Sequence, residues 1–103
     1  MLTVVETPLF HKQWPMYWSE EDLGEFAAHI AEHPDAGAVV PESGVLRKIR
    51  WGRAGTGRSR GVRIIYFVWT AEGQTVLLTL YAKAKTDNLT GAKLKEIRRA
   101  LES

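Results

Sequence analysis

The 103-residue chain contains no cysteine, so neither a disulfide framework nor a thiolate metal site is open to it. That fits a reducing compartment. It has no stretch approaching the roughly 20 apolar residues that cross a bilayer, and its start, MLTVVETPLFHK, lacks the basic segment and apolar run of a secretory leader. A soluble cytoplasmic protein with no membrane partner is the expectation. Internal repeats are absent, and 11.6 kDa is room for one core, so a single domain over residues 1–103 is expected. The most telling absence is local. Residues 44–66, GVLRKIRWGRAGTGRSRGVRIIY, hold no acidic residue but seven of the fourteen Lys and Arg of the chain: Arg47, Lys48, Arg50, Arg53, Arg58, Arg60 and Arg63. A solvated surface normally mixes the two signs.

The net charge of +2 conceals a division. Residues 1–42 carry eight acids and one cation, a net of −7, and the rest carries thirteen cations and four acids, a net of +9. A field of that polarity steers charged partners. With 45% hydrophobic and 25% charged residues, the chain has the composition of a folded protein and not of a basic tail.

Two familiar motifs fail on inspection. The glycines of GRAGTGRSRG invite a nucleotide-binding reading, but that motif needs a strand before and a helix after, and here a strand follows. His29 and His33 stand at i, i+4, yet no HExxH pattern surrounds them and they lie in the acidic half, so they read as helix-surface histidines and no metal is expected. Trp14, Trp18, Trp51 and Trp69 read as packing residues, with Trp51, beside the basic stretch, divided between core packing and contact with a partner.

LTVVE (2–6) reads as a strand before Pro8. A first helix over 8–17 would end at Pro15. SEEDLGEFAAHIAEHP reads as a second helix: Ser19 caps it, acids fill its first turn, Leu23, Phe26, Ala27, Ile30 and Ala31 recur at helical spacing, and Pro34 ends the pattern. VLRKIRW (45–51), VRIIYFVWT (62–70) and TVLLTLYAK (75–83) then read as three strands in a meander, with a hairpin turn at AEGQ, and Thr90 caps a last helix bearing Leu94, Ile97 and Leu101. The fold class is α+β, a curved antiparallel sheet of the N-terminal strand plus the meander, packed by two to three helices on one face. The other face is expected to stay open. Alternation puts Lys48 and Arg50 on one face of their strand, and Thr79, Tyr81 and Lys83 on one face of theirs. If those faces coincide, the sheet presents a cationic surface with a tyrosine in it, suited to a phosphodiester backbone.

The string LRKIRW, the Gly/Arg loop, GVRIIYFVW, the hairpin, LLTLYAK and a helix opened by NLT together resemble the RelE/ParE superfamily of bacterial toxins, in particular its HigB-like branch. The resemblance runs over essentially the whole chain and rests on the order of four motifs. It implies a toxin of a type II toxin–antitoxin system, held inactive by a cognate antitoxin of helix-turn-helix type, that cleaves mRNA on the ribosome. A ParE-like poison of DNA gyrase and a non-catalytic RNA- or ribosome-binding module are the alternatives.

RNA cleaves without a metal cofactor when its own 2′-hydroxyl attacks the adjacent phosphorus, given a base, an acid for the leaving oxygen and cations for the charge on the phosphoryl group. The family pattern maps onto Lys48 and Arg50 in the second strand, Arg63 in the third and Lys83 at the end of the fourth, and these four are the expected catalytic residues. Arg50 and Arg63 suit charge stabilisation, because the guanidinium fork stays charged and grips phosphate at two points. A lysine crowded by cations releases its proton more readily, which suits Lys48 and Lys83 to the acid–base roles. Arg47, Arg53, Arg58, Arg60, Tyr81 and Lys85 are expected to bind RNA or the ribosome, Tyr81 by stacking or hydrogen bonding. Many RelE relatives carry a catalytic tyrosine near the C-terminus. Here no aromatic residue follows Tyr81, so proton transfer is expected to pass to Lys83 or Lys48, with the ribosome orienting the substrate.

Overall fold

In the run VRIIYFVW both alternating sets of side chains are apolar except at Arg63, so a strand built from it has to be covered on both faces. The computed structural model describes residues 2–41, 43, 45–52 and 61–82, together with Lys95, Ile97 and Arg99. Its elements are β1 (Thr3–Glu6), α1 (Pro8–Gln13) running into a 3₁₀ turn (Trp14–Met16), α2 (Glu20–Glu32), β2 (Ala38–Val39), β3 (Arg47–Trp51), β4 (Val62–Trp69) and β5 (Gln74–Ala82). The strands form one open sheet in the order β1-β5-β4-β3-β2. The meander β3-β4-β5 is antiparallel as expected, but β1 runs parallel to β5, so the sheet is mixed. The reason is the path of the chain: after β1 the two helices must cross one face before the meander begins, and such a crossover leaves β1 on the far edge.

Both helices start where the sequence says. Thr7 caps α1, its Oγ1 accepting from Phe10 N at 3.2 Å, and Pro8 takes the first position, where no backbone donor is needed. Ser19 caps α2 with a reciprocal box: Asp22 N donates to Ser19 Oγ (3.2 Å) and Ser19 N to Asp22 Oδ2 (3.1 Å). The β4–β5 connection is a 3₁₀ turn over Thr70–Glu72 closed by Gly73 at φ 65°, a left-handed conformation that favours glycine.

On one face, α1 and α2 bury a cluster of Phe10, Phe26, Ile30, Val62, Ile64, Tyr66, Leu77 and Leu80. The opposite face is not left open. It holds a second cluster, Leu46, Ile65, Phe67, Val76 and Leu78, with Ile97, a residue in helical conformation, packed on it. Leu78 and Leu80, which the period of two of a regular strand would put on one face, lie on opposite faces. A register shift between Ile65 and Tyr66 makes Ile65 pair with Thr79 and Tyr66 with Leu77, leaving Leu78 as an extra residue in β5. Thr7 supports the bulge from the edge: its Oγ1 donates to Leu77 O (2.9 Å), with Leu78 O at 3.1 Å.

Tyr66 ties the α2–β2 connection to the sheet. Its fully buried hydroxyl donates to Pro34 O (2.8 Å) and accepts from Gly37 N (2.9 Å). Tyr66→Phe keeps the ring but strands the buried Gly37 N–H, and is expected to destabilise the fold by about 1–3 kcal/mol. Burial raises the phenol pKa above 10.0, against smaller lowering by the Gly37 hydrogen bond and the Arg47 charge. The unfolded chain therefore loses this proton first. The contribution is complete below about pH 10 and declines as the pH rises further, so the Phe variant should lose less stability than the parent above that point in urea titrations. An equal loss in both would remove the phenol from the account.

Candidate functional site

The β3–β4–β5 register sets side chains in rows across the second face. Arg50 pairs with Arg63, and Arg63 with Tyr81. One step along, Lys48 pairs with Ile65, and Ile65 with Thr79. Directly opposed side chains in an antiparallel ladder have Cβ atoms roughly 4.5–5.5 Å apart. The predicted faces thus coincide: Lys48, Arg50, Arg63 and Tyr81 form one patch at the loop end of the sheet, beside the second hydrophobic cluster. Lys48 and Arg50 are exposed, Arg63 and Tyr81 half-buried, and Tyr81 packs against that cluster, which fixes the body of its ring. Among the described residues no carboxylate forms a salt bridge with Lys48, Arg50 or Arg63.

Two arginines facing each other repel, and like charges in opposed positions destabilise a sheet. With no acidic partner beside them among the described residues, the arrangement is suited to an anion that both guanidinium groups grip. One phosphodiester group meets that requirement.

Arg47 does not join the patch. It pairs with Tyr66 on the helix-bearing side, and its Nη1 donates to Gly37 O (2.5 Å) and Asp35 O (3.3 Å). Its role is to pin the α2–β2 connection, and the period-2 rule that groups Lys48 with Arg50 already separates it from them. Trp51 also faces the helices, with its ring 5.4 Å from Phe26 and 4.9 Å from His29; it is a packing residue. His29 and His33 are neighbours on α2, rings 5.0 Å apart, and among the described residues no three His, Asp or Glu side chains converge to hold a metal. Arg53, Arg58, Arg60, Lys83 and Lys85, and the helix start at Thr90, lie outside the described residues.

The patch is braced by residues that the sequence did not flag. Beyond Glu6 the strand β1 no longer pairs with β5, and α1 covers the freed edge. Gln13 Oε1 accepts from Thr79 Oγ1 at 2.6 Å, with Leu80 N at 3.5 Å, next to Tyr81. Gln13 alone carries no signal, because its partners are 66 and 67 positions away.

No protein-family model matches the chain. Solved structures do. The free form of an E. coli RelE double mutant superposes with a TM-score of 0.66, at 19% identity, over 94% of this chain and 96% of that one. The isolated E. coli RelE toxin gives 0.64 at 16% identity over 97% and 99%, and the chain matched in the E. coli RelBE toxin–antitoxin complex 0.61 at 19% over 79% and 95%. The chain has the RelE fold. On that fold the arginine row occupies the sheet face away from α1 and α2, at the end where β3 and β4 lead into the glycine- and arginine-rich loop. No helix among the described residues is long and apolar enough to cross a membrane.

Proposed function

We propose that this chain is the toxin of a type II toxin–antitoxin pair and acts as a ribosome-dependent mRNA endonuclease. The observation that carries the reading is the Arg50–Arg63–Tyr81 row, two opposed arginines beside a tyrosine. The RelE fold supports it, since relatives in fold include RelE and the RelBE toxin–antitoxin complex. The order of LRKIRW, the Gly/Arg loop, GVRIIYFVW and LLTLYAK supports the HigB-like branch. A cognate antitoxin, of helix-turn-helix type, would hold the toxin inactive in the cytoplasm, and the ribosome and mRNA are its targets.

In this mechanism the 2′-hydroxyl attacks the neighbouring phosphorus, a 2′,3′-cyclic phosphate forms and the 5′-oxygen leaves with a proton. Arg50 and Arg63 stabilise the charge that develops on the phosphoryl oxygens. Lys48, on the same face one row away, and Lys83 are the groups for proton transfer. Tyr81, held by its packing, stacks on or hydrogen-bonds a base. No histidine or carboxylate stands in the row to act as a conventional base, so orienting the hydroxyl falls to the ribosome, and orientation is worth about 7–11 kcal/mol in favourable cases.

The free protein is therefore expected to leave naked RNA essentially uncut and to cleave within translated codons. Mapping RNA 5′ ends after induction without antitoxin checks this. Cuts scattered through untranslated RNA would remove the ribosome from the mechanism. Growth arrest with intact mRNA and broken DNA would support gyrase poisoning instead.

A further inference from the structure

On this face the next positions of β3 and β4 beyond Arg50 and Arg63 are both glycines. Gly52 and Gly61 face each other there, and a Cβ on Gly52 would come 3.6 Å from Gly61 Cα, an ordinary contact. Gly61 is different. It is buried, and a Cβ placed on it would sit 2.9 Å from Arg50 Cγ, 3.2 Å from Trp51 O and 3.3 Å from Trp51 C. Its backbone does not call for glycine: among the described residues the positive-φ glycine is Gly73. The requirement at position 61 is space, and the side chain using that space is Arg50.

In the ladder Arg50 stands opposite Arg63, and Gly61 lies on the diagonal. A guanidinium extended straight up from position 50 would meet its like-charged neighbour. Instead the Arg50 stem leans along the sheet, over Gly61, towards the loop. Resting on the reading of this row as the phosphate site, we propose that Gly61 is a positioning residue for Arg50. The side chain it lacks lets the Arg50 stem lie flat over the strand, holding the two guanidinium groups apart yet on one surface, so that they take two different oxygens of one phosphate. A methyl group at 61 would lift the stem and misplace the fork. Displacements of about 1 Å in a positioned group can lower rates by about 10²-fold.

The test is single-turnover mRNA cleavage on programmed ribosomes by the full chain, with melting temperatures, for the parent, Gly61→Ala, Gly52→Ala, Arg50→Ala and the Arg50→Ala/Gly61→Ala double variant. Arg50→Ala should lower the rate by about 10²-fold and Gly61→Ala by about 10-fold or more. Gly52→Ala, at the same loop neck, should stay within about twofold. The double variant should cleave no more slowly than Arg50→Ala alone, because a positioning residue has nothing left to position. It should also melt above Gly61→Ala, since removing Cγ removes the closest obstruction. That comparison decides the matter even if Gly61→Ala folds poorly. Additive losses, or a double variant that melts no higher than Gly61→Ala, would assign the cost to the Trp51 backbone and overturn the inference while the reading of the site stands. Full cleavage by Arg50→Ala would overturn both.

Discussion

Arg63→Ala is expected to lower single-turnover cleavage by about 10²- to 10³-fold, the range for removing one preorganised donor from a charge developing in the transition state, while leaving the protein at least as stable as the parent. The two halves of that expectation have one cause. Arg63 stands in the middle of the row, between Arg50 and Tyr81, so it is the cation that either neighbour's ligand must meet. It is also the residue that Arg50 repels, and removing it relieves a like-charge opposition in the ladder. A structural arginine would show the reverse: lower stability, with activity falling only in proportion to the folded fraction. Arg63→Lys should rescue poorly, because an ammonium gives one point of charge where the fork gives two directed donors. Lys48→Ala and Lys83→Ala should also slow cleavage, but these alone should change the pH dependence of the rate. Growth and mRNA cleavage on induction without antitoxin, with circular dichroism as the check on folding, read all of these. Unchanged toxicity and cleavage in the Arg63, Arg50, Lys48 and Lys83 variants together would move the active site off this face.

Local signals in the sequence carried the elements well, and long-range ones were harder to see. Ser19 with Asp22, Thr7 with Pro8, and the β-branched runs before and after the Gly/Arg loop each specify structure within a few residues. The grouping of Lys48 with Arg50 follows from a period of two. What failed is what depends on a partner distant in the chain. The bulge at Leu78 inverts the expected face of one leucine, and it arises from the pairing of β5 with β4 and the support of Thr7, some 70 positions away. The parallel placement of β1 is a property of the whole path. Arg47 looked like one more cation in a basic run because nothing local announces that the carbonyls of Asp35 and Gly37, in the connection that Tyr66 ties down, form a seat for it.

The charge division acquires a geometry in the fold. The acids of α2, with Glu20, Glu21 and Asp22 in its first turn, lie in the layer on one side of the sheet, while Lys48, Arg50 and Arg63 face the other side. Among the described residues these charges are divided across the sheet. A polyanion approaching from the helix side is repelled and from the other side attracted, so the field contributes orientation before contact.

The helix layer is fastened by one aromatic chain, and its removal should have the largest effect on stability. Phe26 is fully buried on α2, its ring 5.3 Å from Trp18 and 5.4 Å from Trp51, while Trp18 reaches Phe10 of α1 at 6.3 Å. One ring thus joins both helices to β3. Phe26→Ala removes the middle of that chain and leaves a cavity between a helix and a sheet, neither of which can close it without moving; the expected loss is about 3–5 kcal/mol, a large part of the roughly 5–15 kcal/mol that holds a domain together. Urea unfolding followed by tryptophan fluorescence measures it, with Leu9→Ala, at a partly exposed position (39%), as the control expected to lose far less. Because Trp51 is the β3 end of the chain, and β3 carries Lys48 and Arg50 on its reverse, the variant's cleavage should fall with its folded fraction and, corrected for that fraction, match the parent. A loss no larger than that of Leu9→Ala would mean that α2 is held by its other contacts, Ile30 and Ala31, and that the ring chain is incidental.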